Sequence, residues 1–491
     1  MEILQTAILR KRLLALPLAL AIAIACAVVG FAQQGSWFAA APMLQARRGH
    51  SMVELPAGPN ALGLSPRPGK VMVIGGYDAD PIPFPFDPTS NGTPLASCEI
   101  YDPVANIWMP AAPNPVATGY RWAAVLSNGM VLVAGGFNDK VALDSGLSAL
   151  NGSELYDPRT NTWIVTHPLP EGATNPHSFM RAIVLHDGTV LIAGGGDNVT
   201  TGGPSRNSFL FTLNKKNPAE STWDYTRARS NNSITRMPAG RTTSALVSLE
   251  DGRVLNVGGL GLDFSSHAAT DTADIFDPST GLWTPAAAMP PVYGLGEDET
   301  ISSYPGALGS RWAPFVAKLS GGRVLIAGGI GGLFETVRAS ALIYDEHSGM
   351  WRIIQPMNSY RFGGFWAVSL RKGRGALFAG PGFSHDTFSF SMAGEVFDPV
   401  SETWTLAPDA GGPPSDFSVD SFESHMLSLD NGNIQIAGGT RFFDFTPAID
   451  NSWIFTPGLP AQAHGSGTGP QSRAIAAVLL NKLKNAVSHV P

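Results

Sequence analysis

The chain has 491 residues and a formal charge of −7, with 44% hydrophobic and 14% charged residues. That acidic balance argues against nucleic acid or an anionic surface as a partner. Two cysteines, Cys26 and Cys98, exclude a disulfide framework, and loss of a leader carrying Cys26 would leave Cys98 alone.

In chain order, the first element is a basic cluster, Arg10, Lys11 and Arg12, followed by an apolar run to Val29. Gly30 and Ala32 then supply small residues at a cleavage point. This pattern predicts a secretory signal over residues 1–32, and with it a secreted or periplasmic location. The apolar run is short for a membrane span, so no integral span is expected after cleavage; an uncleaved N-terminal anchor is the alternative. Removing three cations and one acid moves the charge from −7 to −9.

Residues 33–457 repeat one pattern. The stretch 35–43, "GSWFAAAPM", reads as a strand carrying Trp37 with no strand before it. Seven apolar runs follow, six of them ending in Gly-Gly at Gly76, Gly136, Gly195, Gly259, Gly329 and Gly439, and one ending in Pro381. Downstream of five of them an aromatic residue and an aspartate precede a tryptophan. The pairs are Tyr101 and Trp108, Tyr156 and Trp163, Phe276 and Trp283, Tyr344 and Trp351, and Phe397 and Trp404, always seven residues apart. Copy three departs from this, with "FLFTLNKKNPAESTW" (209–223) lengthening the turn.

Repeats of this length predict a solenoid or a propeller. Each copy parses as a strand, a tight glycine turn, an apolar strand, a variable loop, a strand into an Asp-Pro turn, and a Trp strand. The apolar strand is expected to be buried on both faces. Four antiparallel strands cannot bury two apolar faces alone, so the copies are expected to stack radially as a seven-bladed all-β propeller. Each Trp is expected to fill the wedge between blades. Copy seven lacks a Trp strand, so the N-terminal strand is expected to close the ring.

Residues 458–491 read as a small-residue linker and an amphipathic helix over 472–487, with Ile475, Leu479, Leu483 and Val487 on one side.

The double glycine with its Tyr-Asp-Pro and Trp spacing resembles the Kelch-repeat family over about residues 34–457. The resemblance implies the propeller fold and leaves function open, because unrelated functions share one fold. In Kelch propellers that capture acidic peptides, arginines at similar positions do the capturing. Here Arg47 or Arg48, Arg121, Arg181, Arg241, Arg311, Arg361 and His425 lie near the starts of the seven inner strands. Arg121, Arg181, Arg241, Arg311, Arg361 and His425 are therefore candidate binding residues for a carboxylate-bearing ligand. Pairing with acidic neighbours that hold the blades in register is the alternative reading of the same residues.

Apart from residues 56–69 of copy one, the long segments fall after the double glycine and before the inner strand, which puts them on one face, where binding is usually grafted. Glu297, Asp298 and Glu299 read as a solvated loop. His267, His385, Asp386, Asp416, Asp420 and Glu423 add acid–base types without a ligand spacing, so neither metal nor other cofactor is expected. Copper-radical chemistry of the galactose-oxidase kind needs a Tyr-His pair that this chain lacks. The leading expectation is a secreted binding module for a protein or an acidic sugar or peptide. The alternative is a sugar-acid enzyme resembling the secreted sialic-acid mutarotases, although that family has six blades.

Overall fold

The computed structural model describes residues 35–57, 69–78, 92–136, 138, 151–170, 181–195, 204–261, 269–292, 310–311, 313–331, 336–361, 367–370, 373, 375–378, 382–384, 389–391, 394–407, 425–439 and 448–457. The expected signal segment and C-terminal helix lie outside the described residues, as do Glu297–Glu299, His267, His385, Asp386, Asp416, Asp420 and Glu423.

Seven four-stranded antiparallel sheets form the blades. From inner to outer strand, blade 1 comprises Ser51–Glu54, Val71–Ile74, Cys98–Asp102 and Ile107–Ala111. Blade 2 comprises Trp122–Val125, Val131–Ala134, Ser153–Asp157 and Thr162–Val165. Blade 3 comprises Arg181–Val184, Val190–Ala193, Ser208–Thr212 and Thr222–Tyr225. Blade 4 comprises Ala245–Ser248, Val254–Val257, Ala273–Asp277 and Leu282–Pro285. Blade 5 comprises Phe315–Leu319, Arg323–Ala327, Ala341–Asp345 and Met350–Ile354. Blade 6 comprises Ala367–Leu370, Gly375–Phe378, Glu395–Asp398 and Thr403–Leu406. Blade 7 takes His425–Ser428, Ile434–Ala437 and Ser452–Thr456 from the C-terminal end of the repeats and Ser36–Ala39 from the N-terminal end.

The inner strands touch one another in a closed cycle, blade 7 meeting blade 1. Closure by the N-terminal strand is as the unpaired Trp37 requires: Trp37 lies opposite Phe455. The second strands of blades 1, 2, 3, 4 and 7 are buried along their whole length, so their apolar runs face a wedge on each side. Seven apolar clusters fill the wedges, one between each neighbouring pair of blades.

The tryptophans explain the repeated spacing. Each sits opposite the aromatic residue of its own third strand, as Tyr101 and Trp108 do at a ring separation of 5.1 Å. Each indole N–H also reaches the preceding blade. Trp163 donates to the Ala112 carbonyl and Trp283 to the Ser208 hydroxyl. In blade 3 the lengthened turn holds a short 3-10 helix, Pro218–Glu220, and Trp223 still lies opposite Phe211. The Asp turns close on themselves: the Asp345 carboxylate accepts the N–H groups of His347 and Ser348.

Candidate interface on the glycine-rich face

The two faces of the ring differ in how the strands are joined. On one face the third and outer strands are joined by residues 103–106, 158–161, 278–281, 346–349 and 399–402. On the other, second and third strands are joined by residues 75–97, 135–152, 194–207, 258–272, 328–340, 379–394 and 438–451. Outer strands lead to the next blade on that same face, through residues 226–244 and 286–314 among others. Small extra sheets add to it, pairing Ile330–Gly331 with Thr336–Val337 and Tyr360–Arg361 with Gly382–Ser384.

Arginine organises the base of this face. The Arg47 guanidinium donates to the Gly75 carbonyl, the Ser97 carbonyl and hydroxyl, and the Glu99 carboxylate. Arg241 repeats the pattern on Gly258, Thr272 and Asp274. Arg311 repeats it on Gly328 and Ser340, with Leu342 standing where the acid would be. Arg361 pairs with Glu395 at 2.9 Å, and both side chains are fully buried.

The same residues join neighbouring blades through their backbones. The second glycine of the double glycine donates to an arginine carbonyl of the next blade at four places: Gly195 to Arg241, Gly259 to Arg311, Gly329 to Arg361 and Gly439 to Arg47. That approach is why glycine is required here. A Cβ on Gly258, at φ +66°, would stand 2.5 Å from the Arg311 carbonyl oxygen.

Sequence parity suggests that Arg121 and Arg311 point in different directions, with Arg121 lining the channel. Instead, both classes converge on the third strand of their own blade. Arg121 leaves the chain three residues later than its counterparts, and Gly76 accordingly bonds Thr118 rather than an arginine. Its side chain still reaches inward to Glu154 at 2.5 Å, with 2% of its surface exposed. The parity rule fails because these residues precede the inner strand, where regular alternation does not apply.

Burial shapes the electrostatics of the clamps. It pushes the Arg121, Arg241 and Arg361 guanidiniums below their ordinary range, against the pull of Glu154, Asp274 and Glu395. It also raises Asp274, whose desolvation outweighs the nearby Arg241 charge. Burial lifts the Cys98 thiol to about 11. Cys98 lies on the third strand of blade 1, packed in the wedge against blade 2.

Sequence reasoning misses a second ring. Among the described residues, the one two before the inner strand is left-handed in four blades: Gly49 (φ 57°), Tyr120 (φ 54°), Thr243 (φ 53°) and Ala313 (φ 46°). Three of these are not glycine, so the conformation is strained and held by its neighbours. Tyr120 donates its N–H to the Gly49 carbonyl, and Ala313 to that of Thr243, each spanning two blades. No residue type marks this position, which explains its invisibility in the sequence. Arg181 and His425 occupy the first positions of the inner strands of blades 3 and 7.

The Kelch motif model matches residues 68–115, which run from the second strand to just beyond the outer strand of blade 1. The chain is a Kelch-repeat β-propeller. Among relatives of this Kelch propeller, Kelch-like protein 25 of Xenopus tropicalis is 29% identical over 269 residues, 55% of this chain and 37% of that protein. An F-box/kelch-repeat protein of Arabidopsis thaliana is 30% identical over 28% of this chain and 39% of its own. Galactose oxidase of Gibberella zeae is 30% identical over 108 residues, 22% of this chain and 12% of that protein. The chain thus spans less than half the length of each of these relatives. The solved structure of YjhT aligns with 75% of this Kelch propeller and 99% of its own chain, at 13% identity and a TM-score of 0.46.

Proposed function

We propose that this Kelch propeller is a secreted interaction module that binds an acidic peptide or sugar on its glycine-rich face. Kelch propellers in general mediate protein interactions. The observation that carries the reading is the asymmetry of the two faces: mostly short turns on one, apart from residues 55–70 in blade 1 and 213–221 in blade 3, and long connections in every blade on the other, over an arginine-clamped base. Such a base suits recognition, because loops on a rigid support lose less entropy on binding. The described guanidiniums of Arg121, Arg241 and Arg361 are engaged by carboxylates of this chain. Their role in this reading is to fix the connections that meet the ligand. Secretion rests on the basic cluster and apolar run of residues 1–32. Among the described residues no helix is long and apolar enough to cross a membrane.

The test is a thermal-shift screen of the purified protein against acidic sugars and acidic peptides. It is repeated with residues 80–91 and 141–149 each replaced by short Gly-Ser linkers. Stabilisation by a ligand that disappears in a linker variant supports the reading. Stabilisation that survives both replacements, and is lost only on substitution in the short turns of the opposite face, overturns it.

A further inference from the structure

On the short-turn face, blade 5 keeps the aspartate of the turn after its third strand but lacks the proline. The third strand ends in Asp-Pro in blades 1, 2, 4 and 6, at Pro103, Pro158, Pro278 and Pro399. In blade 5 the corresponding residues are Asp345-Glu346-His347. Glu346 is 8% exposed, an unusual burial for a glutamate on a surface turn. Its Oε2 accepts the Glu250 N–H at 2.7 Å, tying this turn to the inner hairpin of blade 4. Among the described residues, no hydrogen bond reaches its Oε1.

That oxygen has company. Donor atoms of Glu250, Glu346 and His347 all lie within 4.8 Å of one another. Gly322 makes room for them: a Cβ there would lie 2.6 Å from His347 Nε2 and 3.0 Å from Glu346 Oε1. The buried carboxylate is held in place by the Glu250 amide, while the Glu250 and His347 side chains are exposed. A four-coordinate ion at zinc-like bond lengths needs donors about 3.4 Å apart, so the two exposed side chains would close in by at most about 1.4 Å.

We infer that Glu250, Glu346 and His347 form a divalent transition-metal site that clamps blade 4 to blade 5 on the short-turn face. One imidazole with two carboxylates favours zinc, or manganese, cobalt or nickel, over calcium and magnesium, which take oxygen-rich shells. Three protein donors leave at least one position for water. The inference does not depend on the binding role of the opposite face.

The experiment is calorimetric titration of zinc chloride into the untagged full-length protein, with calcium chloride as a parallel titrant and a thermal melt at each end point. One zinc per chain and a higher melting temperature are expected, because the ion binds the folded state. His347→Ala and Glu250→Gln each change an exposed side chain and should weaken zinc by at least about tenfold, the least that loss of even a supporting group costs such sites. Glu346→Gln retains an oxygen for the Glu250 amide and should also lose zinc while keeping the metal-free melting temperature. The site is overturned if zinc does not bind, if His347→Ala binds it unchanged, or if calcium binds as tightly.

Discussion

Blades 4 and 5 are neighbours built to one plan, and they solve the same electrostatic problem differently. In blade 4 the buried Arg241 meets a glycine carbonyl, a threonine carbonyl and hydroxyl, and Asp274. In blade 5, Arg311 meets the same three kinds of neutral oxygen, and Leu342 replaces the acid. Leu342 instead joins the apolar wedge with Val324 and Tyr344. The shared part of the two clamps is therefore the set of neutral oxygens. An arginine fork can satisfy several of these at once. The carboxylate is an addition, at a desolvation cost visible in the raised Asp274.

The largest expected differences lie in the outer wedges. Trp283 of blade 4 is 8% exposed and bonds the buried Ser208 hydroxyl. Trp351 of blade 5 is only half-buried and bonds the Ala287 carbonyl. Trp283→Ala should cost about 3–5 kcal/mol, and Trp351→Ala should cost clearly less. Urea unfolding measures both; equal losses would mean that the two wedges are packed alike despite the difference in exposure.

The clamps come next. Arg241→Met strands Asp274 in a buried site and should cost roughly 3 kcal/mol, as loss of one partner of a buried pair does. Arg311→Met leaves neutral oxygens behind and should cost about 1–2 kcal/mol. The same unfolding curves decide the matter: an Arg311 variant as unstable as the Arg241 variant would show that the acid adds nothing to the distinction between the blades.

Much of this fold is legible in the sequence because repetition amplifies weak signals. One Asp-Pro turn means little, but five identical intervals from an aromatic to a Trp define an outer hairpin. The missing Trp strand of copy seven, set against Trp37, is enough to predict closure. The arginines are visible as a series, but their partners are not. Their acids are the second residue of the third strand in blades 1, 2 and 4, at Glu99, Glu154 and Asp274, and are separated from the arginines by long connections. The left-handed ring at Tyr120, Thr243 and Ala313 has no residue signature at all. Glu346 is legible only as a missing proline; its contact with Glu250 depends on how adjacent blades meet.

A smaller effect follows from making blade 4 resemble blade 5. Asp274→Leu removes the acid while leaving the Arg241 guanidinium its bonds to Gly258 and Thr272. The expected loss is about 1–2 kcal/mol, below the usual penalty for breaking a buried pair, because the neutral oxygens remain. A loss as large as that of Arg241→Met would show that the arginine depends on the carboxylate after all, and that blade 5 must compensate elsewhere.

The smallest effects are in pH dependence, where the two blades should differ in sign. Asp274 of blade 4 is raised above its ordinary value, first by burial and against the pull of Arg241. A folded state that holds its proton more tightly than the unfolded chain gains stability at low pH. That gain is complete below the unfolded value near 3.8 and is lost as pH rises through the raised folded value. Asp345 of blade 5 is lowered, first by the N–H of Ser348 and then by its hydroxyl. Its contribution is present above 3.8 and is lost as pH falls through the lowered folded value. Urea midpoints of wild type, Asp274→Leu and Asp345→Asn between pH 7 and pH 3 resolve the two. The advantage of wild type over Asp274→Leu should grow on acidification, and its advantage over Asp345→Asn should shrink. If the Asp274 comparison instead shrinks with acid, attraction to Arg241 outweighs burial, and the carboxylate of blade 4 stabilises a charged pair at the position where blade 5 has Leu342.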